Sequence, residues 1–273
     1  MCRNCATIKN ASKYRKCFNA EILLEESPIT YYWIGFLLAD GHLEKDGRIC
    51  LTTSNKDIDH LLEFAKYIEF EGKIRDNRDR NAHSIMFKNI SVCSALKNKF
   101  NIHDNKTISP PRSNTIFDND LFKCLFIGFI DGDGSIQYQY DHKKSRISLS
   151  VHKNWINILE KFNQLFTEGL GKVKINTRGY ANYSLCLTSE LIKLKEFALR
   201  HKLPIIKRKW SKIDLNLQKE MDTRTEIRKD RLTSILNDLT NGVEESEILN
   251  KYNLKPISIY YYRRKLLSNQ ENE

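Results

Sequence analysis

The chain has 273 residues, and its 45 basic against 34 acidic side chains leave a formal net charge of +11 at pH 7. That length suits one large domain or two smaller ones with a proper core, and the charge points to a polyanionic partner, nucleic acid first. No apolar run approaches the roughly 18–20 residues of a membrane span, so no membrane partner is expected.

The first segment, 1–27, opens with the polar stretch Met1 to Lys16 and shows no apolar signal core. It therefore predicts an intracellular protein (bacterial or virus-infected cytoplasm, or an organelle), not a secreted one. Seven cysteines, an odd number, suit a reducing compartment. Cys2-x-x-Cys5, with Cys17 further on, looks like half a zinc knuckle, at most the remnant of a zinc module. A closed site wants a fourth ligand, and no Cys or His lies between Cys17 and His42. Zinc is therefore not expected there. Cys50, Cys93, Cys124 and Cys186 sit in apolar-periodic segments and are expected to pack as small hydrophobes.

Residues 28–106 form a first unit. It begins with the apolar helix Trp33-Ile34-Gly35-Phe36-Leu37-Leu38-Ala39-Asp40-Gly41. A polar turn (Glu44 to Gly47) leads to an alternating strand, Arg48 to Ser54, with Ile49, Leu51 and Thr53 on one face and Arg48, Cys50 and Thr52 on the other. Asn55 to Ile68 carries helical spacing, Gly72-Lys73-Ile74 opens a basic hairpin whose second arm is Ser84 to Ile90, and Ser91 to Phe100 reads as a helix. Residues 107–118, with Pro110-Pro111, read as a linker.

Residues 119–213 repeat this order. The segment Phe126-Ile127-Gly128-Phe129-Ile130-Asp131-Gly132-Asp133-Gly134 matches the first apolar helix, its acid standing 93 positions on, from 40 to 133. Gly134 to Tyr140 and Arg146 to His152 make a hairpin, Lys153 to Phe166 a helix, Gly171-Lys172-Val173 and Tyr183 to Leu187 a second hairpin, and Ser189 to His201 the last helix. A duplicated unit in which local pattern and long-range repeat agree is a strong fold signal. Gly35 with Ala39, and Gly128 with Gly132, lie four apart and give each apolar helix a flat face. Two such helices can pack almost backbone to backbone, bringing Asp40 and Asp133 side by side at their feet. Paired carboxylates need a cation or a proton.

A charged stretch, 214–230, reads as a second linker. In 231–268, helices at Arg231 to Leu239 and Glu244 to Tyr252, a turn at Asn253-Leu254 and a helix from Pro256 to Leu267 suggest helix-turn-helix geometry. Tyr260, Tyr261, Tyr262, Arg263, Arg264 and Lys265 on that last helix suit groove and phosphate contacts.

With both motifs and the repeat in view, residues 28–213 resemble a two-repeat LAGLIDADG homing endonuclease. The resemblance implies an α+β fold: tandem αββαββα repeats whose saddle-shaped sheets flank paired motif helices and straddle DNA, followed here by a small all-α region. It implies site-specific cutting of double-stranded DNA by a monomer, one phosphodiester per strand, at a long asymmetric or pseudo-palindromic site. By the resemblance, Asp40 and Asp133 bind Mg²⁺, for which hard oxygen ligands are suited. The carbonyls of Ala39 and Gly132 are further ligand candidates. The resemblance also implies a lysine at each active site: Lys106 in the first repeat and Lys209 in the second, with Lys207 competing. Asp131 faces Leu38 across the repeats, and its position is not the family's metal ligand. The strand faces turned to DNA offer Arg48, Thr52, Lys73, Arg75, Arg78, Gln137, Gln139, Arg146, Ser148, Lys172, Lys174 and Arg178, side chains suited to base edges and phosphates, with Arg263 and Arg264 adding distal contacts. The same basic saddle suits two other roles, an intron RNA maturase and a non-catalytic DNA-binding transcription regulator.

Overall fold

The computed structural model describes residues 18–100, 102, 106–111, 119–139, 144–214 and 216–270. Cys2, Cys5 and Cys17, and residues 112–118 of the expected linker, lie outside the described residues. The chain divides into two compact units, residues 1–214 and 215–273.

The first unit is built on two long apolar helices. Helix α1, Pro28–Asp40, starts where Ser27 caps it, its Oγ accepting the Thr30 N–H (3.2 Å), with Pro28 preset for the first turn. Helix α4, Asn119–Asp133, is its counterpart in the second half. Residues 30–38 of α1 and 124–131 of α4 are buried without a break, as a helix apolar all round must be.

Around them stand two four-stranded antiparallel sheets. The first, β1 (Gly41–Leu43), β2 (Arg48–Ser54), β3 (Arg75–Asn77) and β4 (Ala82–Lys88), has the order β1-β2-β4-β3. The second, β5 (Ser135–Gln139), β6 (Lys144–His152), β7 (Lys172–Ile175) and β8 (Tyr180–Leu185), has the same order, β5-β6-β8-β7. Each half completes itself with two amphipathic helices, α2 (Ile58–Tyr67) and α3 (Ile90–Phe100), then α5 (Ile156–Thr167) and α6 (Thr188–Arg200), and a single turn, α7 (Lys207–Trp210), follows the last of them. The helix expected over Asn55 to Ile68 opens as a 3₁₀ turn, Asn55–Asp57, and the one from Lys153 opens likewise as Lys153–Trp155. Strand alternation places Ile49, Leu51, Ile85, Ile147, Leu149 and Tyr183 in the core and leaves the opposite face polar.

Three sequence readings change. Lys73 precedes β3 and is not part of it. The closing strand begins at Tyr180, three residues before its expected start, because Ala181 continues the buried alternation. Cys93 and Cys124 are buried as expected, but Cys50 is half-buried on the polar face of β2 and Cys186 is exposed beyond the end of β8.

In the second unit, helix α8 runs from Asn216 to Thr240, so the expected linker 214–230 is helical over most of its length. Helices α9 (Glu245–Lys251) and α10 (Pro256–Gln270) follow, with Asn253 left-handed (φ 47°) in the turn between them. Ile235, Ile248 and Ile259, one per helix, make the core. Tyr262 packs against that core and is not a groove-facing residue, whereas Tyr260 and Tyr261 are exposed. Arg263 pairs with Glu245, and Arg264 is exposed. Among the described residues no helix is long and apolar enough to cross a membrane.

Candidate active site at the feet of the paired helices

Helices α1 and α4 touch through their backbones. A Cβ added to Gly35 would fall 1.7 Å from Leu125 O, and one added to Gly128 would fall 1.9 Å from Tyr32 O. The two contacts are related by the same 93-position step as the motifs. One turn on, a Cβ at Gly132 would lie 2.2 Å from the Ala39 methyl and 3.5 Å from Asp40 Cγ. Glycine at three of the four small positions, with alanine at the fourth, lets the chains close in and brings Asp40 next to the end of the opposite helix.

Both acids reach solvent, each at the floor of its own groove. Asp40 opens into a groove of about 390 Å³ with Thr52, Thr53, Arg80 and Lys209. Asp133 opens into one of about 420 Å³ with Ser135, Arg146, Ser148, Lys172 and Lys174. A larger cleft of about 790 Å³, lined by Trp33, Tyr67, Leu203 and Trp210, contains neither acid. Desolvation and the charge of Asp133 push the Asp40 carboxyl up to about 6, against the pull of Lys209 and Lys106. Desolvation also raises Asp133, opposed by the same two lysines. Two acids that ionise reluctantly together are suited to sharing a cation.

The lysines close the feet of the helices. Lys106 Nζ donates to the carbonyls of Leu37 (3.0 Å), Leu38 (2.5 Å) and Ala39 (2.7 Å). Lys209 Nζ makes the equivalent contacts on α4, to Ile130 (3.4 Å), Asp131 (2.5 Å) and Gly132 (3.2 Å), and one more just beyond the helix, to Gly134 (2.7 Å). Lysine at a helix C-terminus satisfies orphan carbonyls and meets the negative end of the dipole. Lys207 is exposed and makes no such contact. The carbonyls of Ala39 and Gly132 are thus already engaged by lysine, each with one lone pair to spare. Burial brings the Lys106 ammonium down to about 8, although Asp133 and Asp40 hold it up, and burial likewise lowers Lys209.

Asp131 lies apart from this cation-seeking pair. It is 1 % exposed and accepts from Tyr32 Oη (2.6 Å), the Ile206 N–H (3.0 Å) and Trp210 Nε1 (2.7 Å). Burial raises its carboxyl.

The outer sheet faces carry the expected polar residues in register. Thr52 pairs with Ser84, which pairs with Arg75; Gln137 pairs with Arg146; Ser148 pairs with Ser184, which pairs with Lys172; and Lys174 pairs with Asn182. Gln139 ends β5 opposite Lys144, and Arg178 stands in the exposed turn between β7 and β8. Arg48 is paired with Asp46 and Glu44, and Arg78 with Asp76. Arg146 Nε is buried without a hydrogen-bond partner beside Asp133. Sequence reading missed Ser84, Ser135, Ser150, Asn182 and Ser184 on these faces; strand alternation through 180–185 would have found the last pair. Asp57 and Arg208, joined at 2.8 Å beside Asp40, had no sequence signal because they stand 151 positions apart.

Residues 126–209 match the family model described as LAGLIDADG endonuclease. No curated protein matches the sequence. Among solved structures, meganuclease I-SmaMI bound to uncleaveable DNA with a TTGT central four is 14% identical, with 75% of this chain and 95% of that chain covered and a TM-score of 0.50. I-LtrWI, a LAGLIDADG homing endonuclease bound to target DNA, is 15% identical, with 82% and 95% covered and a TM-score of 0.46. At these identities the structural likeness is one of fold. With residues 126–209 matching the family model and the first half repeating the second strand for strand, the chain has a two-repeat LAGLIDADG fold.

Proposed function

We propose that the protein is a site-specific double-strand DNA endonuclease of the homing type, acting inside the cell as a monomer. The observation that carries this reading is the placement of one acid from each repeat at the feet of the paired helices, where two polar, basic grooves meet them. The match of residues 126–209 to an endonuclease family supports it.

The donor set fits Mg²⁺. Asp40 and Asp133 offer hard oxygens, and among the described residues no group of three or more His, Cys, Asp or Glu could cage a metal alone. Mg²⁺ is typically held in this way, by one or two carboxylates with water and substrate phosphate completing its shell. Bound there, the ion supplies charge stabilisation and a readily ionised water. The residues supply the rest. Asp40 and Asp133 would hold the ion. Lys106 and Lys209 keep positive charge beside the scissile phosphates, and Lys106, brought down to about 8, can also give up or accept a proton near neutral pH. The sheet faces position the duplex, with Arg75, Gln137, Arg146, Lys172 and Lys174 among the DNA contacts and Arg264 on α10 adding a distal one. Because the two halves differ in sequence, the proposed site is a long pseudo-palindromic or asymmetric one.

Selection from a randomised plasmid library with Mg²⁺ tests the reading. The protein should linearise a recovered site, while Asp40→Asn and Asp133→Asn bind that site and cut it at least about 10²-fold more slowly, as when a transition-state charge partner is lost. Binding without cutting by the unaltered protein would favour a regulator. Assistance to intron splicing would favour a maturase.

A further inference from the structure

The lysines at the helix feet are not held by their own halves alone. Beyond Lys106 the chain continues through Thr107 and Ile108, and side chains of the second half take both of these carbonyls. Trp155 Nε1 donates to Thr107 O (3.0 Å) and Asn154 Nδ2 to Ile108 O (2.8 Å). Both donors belong to the 3₁₀ turn Lys153–Trp155 between β6 and α5.

The equivalent turn of the first half, Asn55–Asp57 between β2 and α2, returns the contact. The Asp57 carboxylate accepts from Arg208 Nε (3.1 Å) and Nη2 (2.8 Å), one residue before Lys209. The neighbours on either side are also pinned, since the Ile206 N–H and the Trp210 indole both donate to Asp131. Lys209 thus stands in a segment fixed at 206, 208 and 210. A lysine stem is long and flexible, so anchoring its backbone is what gives the ammonium one address.

We propose that Asp57 and the pair Asn154–Trp155 are positioning residues, each turn setting the lysine of the opposite repeat, so that each active site is completed by both halves. The proposal rests on the nuclease reading. The exchange is unequal: Asp57 grips Arg208 by a charge-assisted, forked pair, whereas Asn154 and Trp155 make neutral bonds to backbone. The two cuts should therefore respond to different substitutions.

The test is strand-resolved cleavage of a plasmid site recovered from the library, each strand carrying its own end label. Asp57→Asn should slow one strand's cut at least tenfold, with the other changed less than twofold, so that nicked circles accumulate. Trp155→Phe, which keeps the ring stacked on Phe129 (4.8 Å), combined with Asn154→Ala, should slow the other strand. A reversed pair, Asp57→Arg with Arg208→Asp, should recover at least part of the lost rate. A readout without DNA accompanies these: acylation of lysines followed by mass spectrometry should show Lys209 labelled faster in Asp57→Asn and Lys106 unchanged. Equal slowing of both strands, or unchanged Lys209 labelling, overturns the proposal. If the unaltered protein cuts no site, the nuclease reading fails, and the labelling alone decides whether Asp57 positions Lys209.

Discussion

Gly35 and Gly128 carry the packing of the two repeats on the absence of one atom each. An alanine at either position would drive its methyl to within 2 Å of a backbone carbonyl of the other helix, and backbone cannot swing aside as a side-chain tip can. We expect Gly35→Ala and Gly128→Ala each to lose about 3 kcal/mol or to fail to fold, measured by urea unfolding. Asp40 makes a different prediction. Its carboxyl, raised to about 6, is protonated below that value, so proton and cation compete for the same oxygens. Metal affinity should fall as pH drops through about 6, by about tenfold per pH unit below it. Calorimetric Mg²⁺ titrations across pH 5 to 8 check this, and Asp40→Asn should weaken binding and remove the part of the dependence centred near pH 6. Asp131 is the residue whose repeat-one counterpart, Leu38, misleads most. Asp131→Leu would leave the Trp210 indole and the Ile206 N–H unpaired and the Tyr32 hydroxyl with His60 as its remaining partner, and should cost about 3–5 kcal/mol in thermal or urea unfolding.

At the scale of elements, one device appears twice: an apolar helix buried on all sides whose last carbonyls are capped by a lysine arriving from the far end of the same repeat. The last carbonyls of a helix have no partners within it, and where the helix is packed on all sides a donor from elsewhere in the protein has to reach them. Lys106→Met should therefore loosen the end of α1, with faster amide exchange around Asp40 and Gly41, and cost about 1–3 kcal/mol. The strands were readable because alternation has a period of two and one face is dry. Their ends were less so. The residues just outside β3, and the first turns of α2 and α5, obey local backbone geometry that apolar spacing does not encode. The charged segment after Asp214 reads as a linker without structure because its scarcity of apolar residues hides the helix it forms.

The whole molecule comprises the two-repeat body and a three-helix unit whose core needs only Ile235, Ile248 and Ile259 with their partly buried neighbours. Each unit has its own apolar core, which predicts that a chain ending at Asp214 keeps its cooperative unfolding and its cleavage chemistry. Such a chain should give a shorter footprint on the recovered site and a shallower salt dependence of binding, because α10 contributes Arg264 and other basic groups. Footprinting and affinity measured at two or three salt concentrations test this directly.

The sequence by itself determined the duplication, the two buried motif helices, the polar sheet faces and the two acids at the helix feet, because each is written in local periodicity or in a repeat at constant spacing. Tertiary structure alone decided three other matters. It made Asp131 a buried junction to Tyr32, Ile206 and Trp210, it joined Asp57 to Arg208, and it put Lys209 rather than Lys207 on the end of α4. Asp131 with Tyr32 and Asp57 with Arg208 join the two repeats, 99 and 151 positions apart, whereas Lys209 reaches α4 from 78 positions on within its own repeat. No pattern along the chain records such meetings; they exist only once the packed helices and the segment after α6 have come together.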